Sequence, residues 1–151
     1  MGTQSVKRAR EFEMFHPKFY SIMSEESKVE RIATDFQFTE GPVWNGHDGF
    51  LLFSDIPADQ IFRWSPEGGV IVFRKPSGNS NGLTYDKDDH LLICEHANRR
   101  LSRIEKDGGY VVLADKFQAK RLNSPNDVIV RSDWKIYFTD PPYGIKPEQQ
   151  E

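Results

Sequence analysis

The chain has 151 residues and a formal net charge of −3 at pH 7, with 37 % hydrophobic and 13 % aromatic residues. This aromatic content argues against a disordered chain, and the slight acidity gives no electrostatic basis for binding nucleic acid. No apolar run approaches the roughly 18 residues of a membrane-spanning helix, and the N-terminus lacks the apolar core of a secretory signal. A single cysteine excludes an intramolecular disulfide and a cysteine-only zinc site. Composition therefore predicts a soluble cytoplasmic protein without nucleic-acid or membrane partners.

Residues 1–28 are predicted to be an N-terminal extension, because they lack the repeat that organises the rest of the chain. Residues 7–15 are expected to form a short helix that is interrupted at His16-Pro17, since the helical conformation is disfavoured for a residue that precedes a proline. Residues 29–36 are typical of a strand that precedes the first repeated unit. Residues 29–151 are then predicted to form one incomplete domain.

Short apolar runs recur every 40 to 45 residues from residue 40 onward. Each run is rich in β-branched or aromatic side chains and is bounded by Gly, Pro, Asn or Asp, which is typical of strands. The runs are 40–44, 51–55, 61–64 and 70–73 in the first unit, 81–85, 91–95, 101–104 and 110–113 in the second, and 126–130 and 136–140 in the third. Four short antiparallel strands with this period form a β-propeller blade. The sequence therefore predicts an all-β propeller segment of about two and a half blades.

One polar residue opens the first run of each unit. These residues are Glu40, Asn81 and Asn126. In a propeller these positions lie near the central channel. One carboxylate and two amide oxygens suit a hard divalent cation such as calcium or magnesium, which could polarise a carbonyl or activate water. The same residue types also satisfy backbone groups in turns, so both interpretations stay open on this evidence.

One acid closes the second run of each unit. These acids are Asp55, Glu95 and Asp140. For Asp55 we favour a structural role, in which the carboxylate accepts hydrogen bonds from the backbone amides of the next turn. Glu95 is followed by His96, and this pair could supply a general base or a proton shuttle; the alternative for His96 is a solvated loop histidine. Cys94 lies within an apolar strand, where a buried thiol is expected.

Several segments resemble the senescence marker protein (regucalcin)/gluconolactonase family, and especially its bacterial and fungal gluconolactonase branch. The resemblance covers residues 29–145, and the motifs are specific only when taken together. They are Phe38-Thr39-Glu40-Gly41-Pro42-Val43-Trp44, Leu52-Phe53-Ser54-Asp55-Ile56-Pro57, Asn81-Gly82-Leu83-Thr84, Cys94-Glu95-His96-Ala97-Asn98-Arg99-Arg100, Leu122-Asn123-Ser124-Pro125-Asn126-Asp127-Val128 and Phe138-Thr139-Asp140-Pro141-Pro142-Tyr143-Gly144-Ile145.

The resemblance implies a six-bladed propeller that holds one divalent metal in its channel and hydrolyses sugar lactones or related cyclic esters. We favour calcium as the metal, with zinc and magnesium as alternatives. Glu40 matches the family's metal-ligand glutamate, and Asn126 matches an asparagine that faces the metal and the substrate. Asn81 fits the gluconolactonase branch as a substrate-binding residue. Arg121 is the candidate substrate arginine, because Ser124 stands where the regucalcin branch has an arginine.

The resemblance places the family's two remaining metal ligands and its usual general base in later blades. Glu95 and His96 are therefore second choices for the base, and the chain is expected to be an N-terminal fragment with little activity of its own. Two other functions stay open, a non-catalytic propeller scaffold and a propeller enzyme of the strictosidine-synthase or arylesterase type. The absence of Gly-His and Trp-Asp signatures argues against a WD-repeat scaffold.

Overall fold

The computed structural model describes residues 13, 15–24 and 26–149. The regular structure of these residues is all β, apart from three short 3-10 helices. No helix in this part of the chain is long and apolar enough to span a membrane. The chain divides into two compact units, residues 1–34 and residues 35–151. The predicted division after residue 28 stays a prediction.

The first unit contains one of the 3-10 helices, Pro17–Ser21. His16 caps this helix, because its Nδ1 atom accepts a hydrogen bond from the Lys18 amide at 3.1 Å. The helix predicted over residues 7–15 lies outside the described residues, except for residues 13 and 15, which are not helical.

The strand predicted over residues 29–36 is wrong, because no residue in this range belongs to a strand. Asp35 has a φ of +71°, in the left-handed region that an extended strand does not use. The first strand begins only at Thr39. The amides of Gln37 and Phe38, just before it, donate to the carboxylate of Asp55 rather than to a neighbouring strand.

Two four-stranded antiparallel sheets dominate the second unit, and in each the strands follow chain order. The first sheet consists of β1 Thr39–Asn45, β2 Phe50–Asp55, β3 Gln60–Ser65 and β4 Gly69–Arg74. The second consists of β5 Ser80–Tyr85, β6 Leu91–Glu95, β7 Arg100–Ile104 and β8 Tyr110–Ala114. Each strand agrees with its predicted run to within one residue at either end, so the two predicted blades are confirmed.

Two further strand pairs follow the second blade. They are the hairpin of β9 Lys116–Phe117 with β10 Lys120–Arg121, and the pair of β11 Val128–Val130 with β12 Ile136–Phe138. The second pair is the predicted half blade. The hairpin was missed, because Gln118 and Ala119 form its turn with φ values of 49° and 68° and neither is the Asn or Gly that such turns usually contain.

The sheets pack against one another through two hydrophobic clusters. The first joins the two blades and contains Phe50, Leu52, Ile61, Leu83, Leu91 and Ile93. The second joins the second blade to the pair of β11 and β12 and contains Leu92, Cys94, Leu101 and Val128. Strand β6 serves both clusters, because successive side chains of a strand point to opposite faces. Cys94 is fully buried, as predicted, and burial raises the pKa of its thiol.

Candidate active site

A cavity of about 580 Å³ opens near the beginnings of strands β1, β5 and β11. Its polar lining consists of Glu40, Asn79, Asn81, His96 and Asn126, and the rest consists of Phe38, Ile56, Pro57, Ala97, Tyr143 and Gly144. Four of the six predicted site residues therefore meet in one cavity, and they come from all three repeated units. Three of the four, Glu40, Asn81 and Asn126, occupy equivalent positions of the predicted repeat.

Two glycines allow the first strands to approach closely enough for this convergence. A Cβ atom added at Gly41 would lie 2.0 Å from the backbone oxygen of Asn81, and one added at Gly82 would lie 2.6 Å from the backbone oxygen of Asn126. The Gly82 amide donates to that Asn126 oxygen at 2.7 Å. Each glycine directly follows a cavity residue. Because the glycine has no side chain, the next cavity residue along the chain can lie this close to it.

A bulge recurs at the same point in both complete blades. The pairing of β1 with β2 shifts between Glu40 and Val43, and the pairing of β5 with β6 shifts between Ser80 and Leu83. One extra residue in a strand bends it and redirects the nearby side chain, which is why bulges are frequent beside active sites. Glu40 stands at the start of one bulge and Asn81 lies within the other.

Two buried serines link the first blade to the second next to Asn81. The Ser54 and Ser80 hydroxyls lie 2.8 Å apart, and the Ser54 hydroxyl also donates to the backbone oxygen of Asn81 at 2.8 Å. Both serines are fully buried. These bonds hold the backbone of Asn81 in place without using its side chain.

The carboxylate of Glu40 and the side-chain amide of Asn126 have no hydrogen-bond or ion-pair partner within the described part of the chain. Glu40 is exposed and Asn126 is half-buried. Carboxylate and amide oxygens are the ligands that calcium and magnesium prefer, so these two residues fit a divalent cation. Among the described residues, no group of three or more His, Cys, Asp or Glu side chains is arranged so that it could hold a metal ion. Glu40 and Asn126 by themselves could supply only part of the ligand set that such a cation needs.

His96 is buried at the cavity wall, with 6 % of its surface exposed. Its Nε2 atom lies 3.3 Å from the side-chain nitrogen of Asn81, which can donate a hydrogen bond to the neutral ring. Burial lowers the pKa of His96 and so favours the same neutral form. On its other side the ring meets the backbone of Gly144, where an added Cβ atom would lie 2.5 Å from Nδ1. The ring lies between these two residues, and its burial favours the neutral form.

Glu95 and Arg121 do not line the cavity. The Glu95 carboxylate accepts hydrogen bonds from the side chains of Asn98, Ser102 and Tyr110, and it pairs with Arg100 Nε at 3.0 Å. Arg121 donates to the backbone oxygen of Asn98 at 3.1 Å. The catalytic role predicted for Glu95 and the substrate role predicted for Arg121 therefore stay predictions that the cavity does not support.

The acids Asp55 and Asp140 both hold backbone in place. Asp55 accepts from the amides of Gln37 and Phe38 at 3.0 and 3.1 Å, and Asp140 accepts from the Asn123 amide at 2.8 Å. The structural role favoured for Asp55 is confirmed. The amides, however, belong to the segment that enters the first strand of the same sheet and not to the next turn.

Sequence reasoning missed the other seven residues that line the cavity, among them Asn79, Phe38 and Tyr143. Asn79 has a φ of 49° and is held by Asp59, whose carboxylate also accepts from Ser77. Burial raises the pKa of Asp59, but these hydrogen bonds outweigh it and leave the pKa low. The signal for Asn79 is its place two residues before Asn81.

Comparison with known proteins agrees with the fold. Residues 38–151 match the family described as SMP-30/gluconolactonase/LRE-like region. The gluconolactonase of Zymomonas mobilis is 36 % identical over an alignment of 145 residues, which covers 87 % of this chain and 41 % of that protein. The chain thus spans less than half the length of this relative.

Solved structures give the same result. A candidate gluconolactonase superposes with a TM-score of 0.80 at 36 % identity, over 89 % of this chain and 47 % of its own. A gluconolactonase of Xanthomonas campestris gives 0.69 at 38 % identity, over 76 % of this chain and 38 % of its own. Virginiamycin B lyase of Staphylococcus aureus gives 0.54 at 18 % identity, over 68 % of this chain and 34 % of its own, and so shares the fold alone. The two sheets are propeller blades, and the chain belongs to the SMP-30/gluconolactonase/LRE-like family.

Proposed function

We propose that this chain contributes to the active site of an enzyme that hydrolyses sugar lactones. The observation that carries the proposal is the cavity in which Glu40, Asn81, His96 and Asn126 meet, in a chain whose relatives include gluconolactonases. Since the chain spans less than half of those relatives, we propose the activity for the whole protein. We expect the 151 residues by themselves to have little or no turnover.

Glu40 and Asn126 are the residues that would hold a divalent cation, and calcium is the ion that we favour. When bound, such a cation supplies Lewis-acid polarisation of the lactone carbonyl and stabilises negative charge on its oxygen. The support for this assignment is that both residues face the cavity with hard oxygen atoms that no described residue engages.

The proposed proton carrier is His96. Hydrolysis adds a water oxygen to the carbonyl carbon, breaks the ring ester bond and transfers a proton to the released hydroxyl group. Once Nε2 exchanges its hydrogen bond from Asn81 for one from the attacking water, the neutral imidazole can take the proton from that water and return it to the leaving oxygen. Among the described cavity residues, His96 is the group suited to both transfers near neutral pH, because burial keeps its ring neutral.

Asn81 is proposed to bind the substrate. Its side-chain nitrogen is engaged with His96, whereas its side-chain oxygen has no partner within the described residues. A sugar lactone carries hydroxyl groups that can donate to such an oxygen. Glu95 and Arg121 receive no part in this mechanism, since neither lines the cavity.

The test is the hydrolysis of glucono-1,5-lactone, followed by acid release at constant pH, on the longest form of the protein that its gene encodes. We expect activity with calcium and a loss of roughly a hundredfold or more after chelation or in Glu40→Gln, since Lewis-acid catalysis contributes several kcal/mol. Glu67→Gln is the matched control, because Glu67 is an exposed acid in the turn between β3 and β4. It should retain full activity.

Two results would overturn the proposal. No hydrolysis with calcium, zinc or magnesium would rule out the lactonase function. Hydrolysis that survives chelation and Glu40→Gln would rule out the metal role of Glu40. For the 151-residue chain alone we expect weak calcium binding by calorimetric titration, and tight stoichiometric binding would contradict the view that Glu40 and Asn126 form only part of the ligand set.

A further inference from the structure

Ser124 is a fully buried polar residue whose hydroxyl group bridges the two ends of one short loop. The hydroxyl donates to the backbone oxygen of Pro141 at 2.6 Å and accepts from the Gly144 amide at 2.8 Å. The loop between these two points is the 3-10 helix Pro142–Gly144. One side chain therefore satisfies both ends of the loop and draws them together.

The loop that Ser124 fastens lies directly against His96. A Cβ atom added at Gly144 would come within 2.5 Å of both Cγ and Nδ1 of the His96 ring and within 2.6 Å of its Cβ. Real Cβ atoms do not approach so closely, so the contact requires bare backbone at this position. Asn81 meets the ring at Nε2. The orientation of His96 thus depends on where the loop places Gly144.

A second fastening holds the start of the loop without Ser124. The Asn123 amide donates to the Asp140 carboxylate at 2.8 Å, and the Asn123 side chain donates to the backbone oxygen of Asp140 at 3.1 Å. Loss of the Ser124 hydroxyl should therefore free the far end of the loop, at Gly144, while the near end stays attached. The effect of such a change is local to the wall that faces His96.

We propose that Ser124 is a positioning residue, which acts through the loop ending at Gly144 to hold the His96 ring in its working orientation in the cavity. The inference rests on the proposed function, because it gives His96 its role there. It also explains why a serine at this position is useful where a related branch would carry a substrate arginine. The hydroxyl of Ser124 is used entirely inside the protein.

The first test reads the His96 ring by long-range proton–nitrogen NMR at fixed pH, in the 151-residue chain. We expect a single neutral tautomer in the wild type. In Ser124→Ala the His96 ring resonances should shift or average, while the rings of His47 and His90, outside the cavity, stay unchanged. Ser124→Thr keeps the hydroxyl group and should restore the wild-type ring signals.

A second variant keeps the test decisive if the buried site does not accept threonine. Gly144→Ala leaves both Ser124 hydrogen bonds in place but puts a methyl group against the ring, so it should also displace His96. Gly46→Ala is the control, because its nearest neighbouring atom is 4.0 Å away. If Ser124→Ala and Gly144→Ala both fold and leave the His96 signals unchanged, the proposal is overturned.

Activity separates this inference from the proposed function. In an active form of the protein, Ser124→Ala should lower kcat by about ten- to a hundredfold, the cost of a displaced catalytic group. A displaced ring with unchanged kcat would support the positioning by Ser124 and overturn the proton-transfer role of His96. An unchanged ring overturns the inference about Ser124 whether or not the protein hydrolyses lactones.

Discussion

Two sets of polar residues repeat in register along this chain, and the protein uses them in opposite ways. The channel set, Glu40, Asn81 and Asn126, opens the first strand segment of each unit, and its members line one cavity. The strand-end set, Asp55, Glu95 and Asp140, closes the second. All three strand-end acids accept hydrogen bonds from protein donors, whereas the side chains of Glu40 and Asn126 have no partner within the described residues.

The comparison shows that a polar residue repeated in register marks an equivalent position in each unit. The hydrogen-bond donors near that residue then decide whether its role is structural or whether it is free to bind a ligand. Asp55 and Glu95 are 2 % and 1 % exposed, so their carboxylates must be satisfied inside the protein. Glu40 is exposed, and its charge is free to meet a ligand. Changes in the strand-end set should therefore cost stability, whereas changes in the channel set should cost function.

The largest effect is expected for Glu95→Ala. This variant leaves the donors of Ser102, Tyr110 and Arg100 without their buried acceptor, and removing one partner of a buried charged network costs about 3–5 kcal/mol. Urea unfolding of the 151-residue chain measures the loss, and failure to fold would agree with it. A loss below about 1 kcal/mol would mean that Glu95 is not a structural centre of the second blade.

Asp55→Ala should have the next largest effect. The substitution removes the buried carboxylate that accepts from the backbone amides of Gln37 and Phe38, and hydrogen bonds to a charged group contribute about 1.5–3 kcal/mol. The measurement is again the free energy of unfolding in urea. Asp88→Ala is the control, since Asp88 is an exposed turn acid whose removal should change stability by less than about 0.5 kcal/mol. Equal losses in the two variants would contradict the structural role of Asp55.

A smaller effect is expected from His96, through pH. Burial lowers its pKa in the folded protein, whereas in the unfolded chain a histidine titrates near about 6.5. Between the lowered pKa and about 6.5 the unfolded state binds the extra proton. Stability therefore falls as the pH drops through this window, by up to about 1.4 kcal/mol per pH unit, and is fully present above it.

Urea unfolding of the wild type and of His96→Gln at pH 7.5 and pH 5.5 checks this sign. The wild type should lose more stability on acidification than the variant does, because glutamine does not titrate. Other titrating groups are shared by both proteins and cancel in the comparison. If the two proteins lose equal stability, the buried neutral state of His96 is wrong.

The strands and the members of the channel set could be predicted from the sequence because both depend on local pattern. Apolar runs bounded by turn residues identify the strands, and the repeat places Glu40, Asn81 and Asn126 at equivalent positions. The structural role of Glu95 could not be predicted in this way. Its partners Ser102 and Tyr110 lie on two other strands of the same sheet, β7 and β8, and nothing in the residue types distinguishes a satisfied acid from a free one.

The loop that contacts His96 was equally out of reach of sequence reasoning. Gly144 is separated from His96 by 48 residues, and the contact exists because Ser124 ties the loop back onto the sheet. The bulges at Glu40 and Asn81 were missed for a related reason, since a bulge is a property of pairing between strands and not of one strand. Long-range pairing supplies the geometry of the site, whereas local pattern supplies its members.

The smallest effect on stability is expected for Glu40→Gln, and it makes the comparison between the two sets sharpest. No described residue donates to this exposed carboxylate, so removing its charge should change the free energy of unfolding by less than about 0.5 kcal/mol. Calcium binding by calorimetric titration should nevertheless weaken markedly, because a charged oxygen ligand is lost. Glu95→Gln, the same chemical change in the strand-end set, should do the reverse. A Glu40→Gln variant that unfolds as easily as Glu95→Gln would show that the channel residue, too, is held by the protein for its own stability.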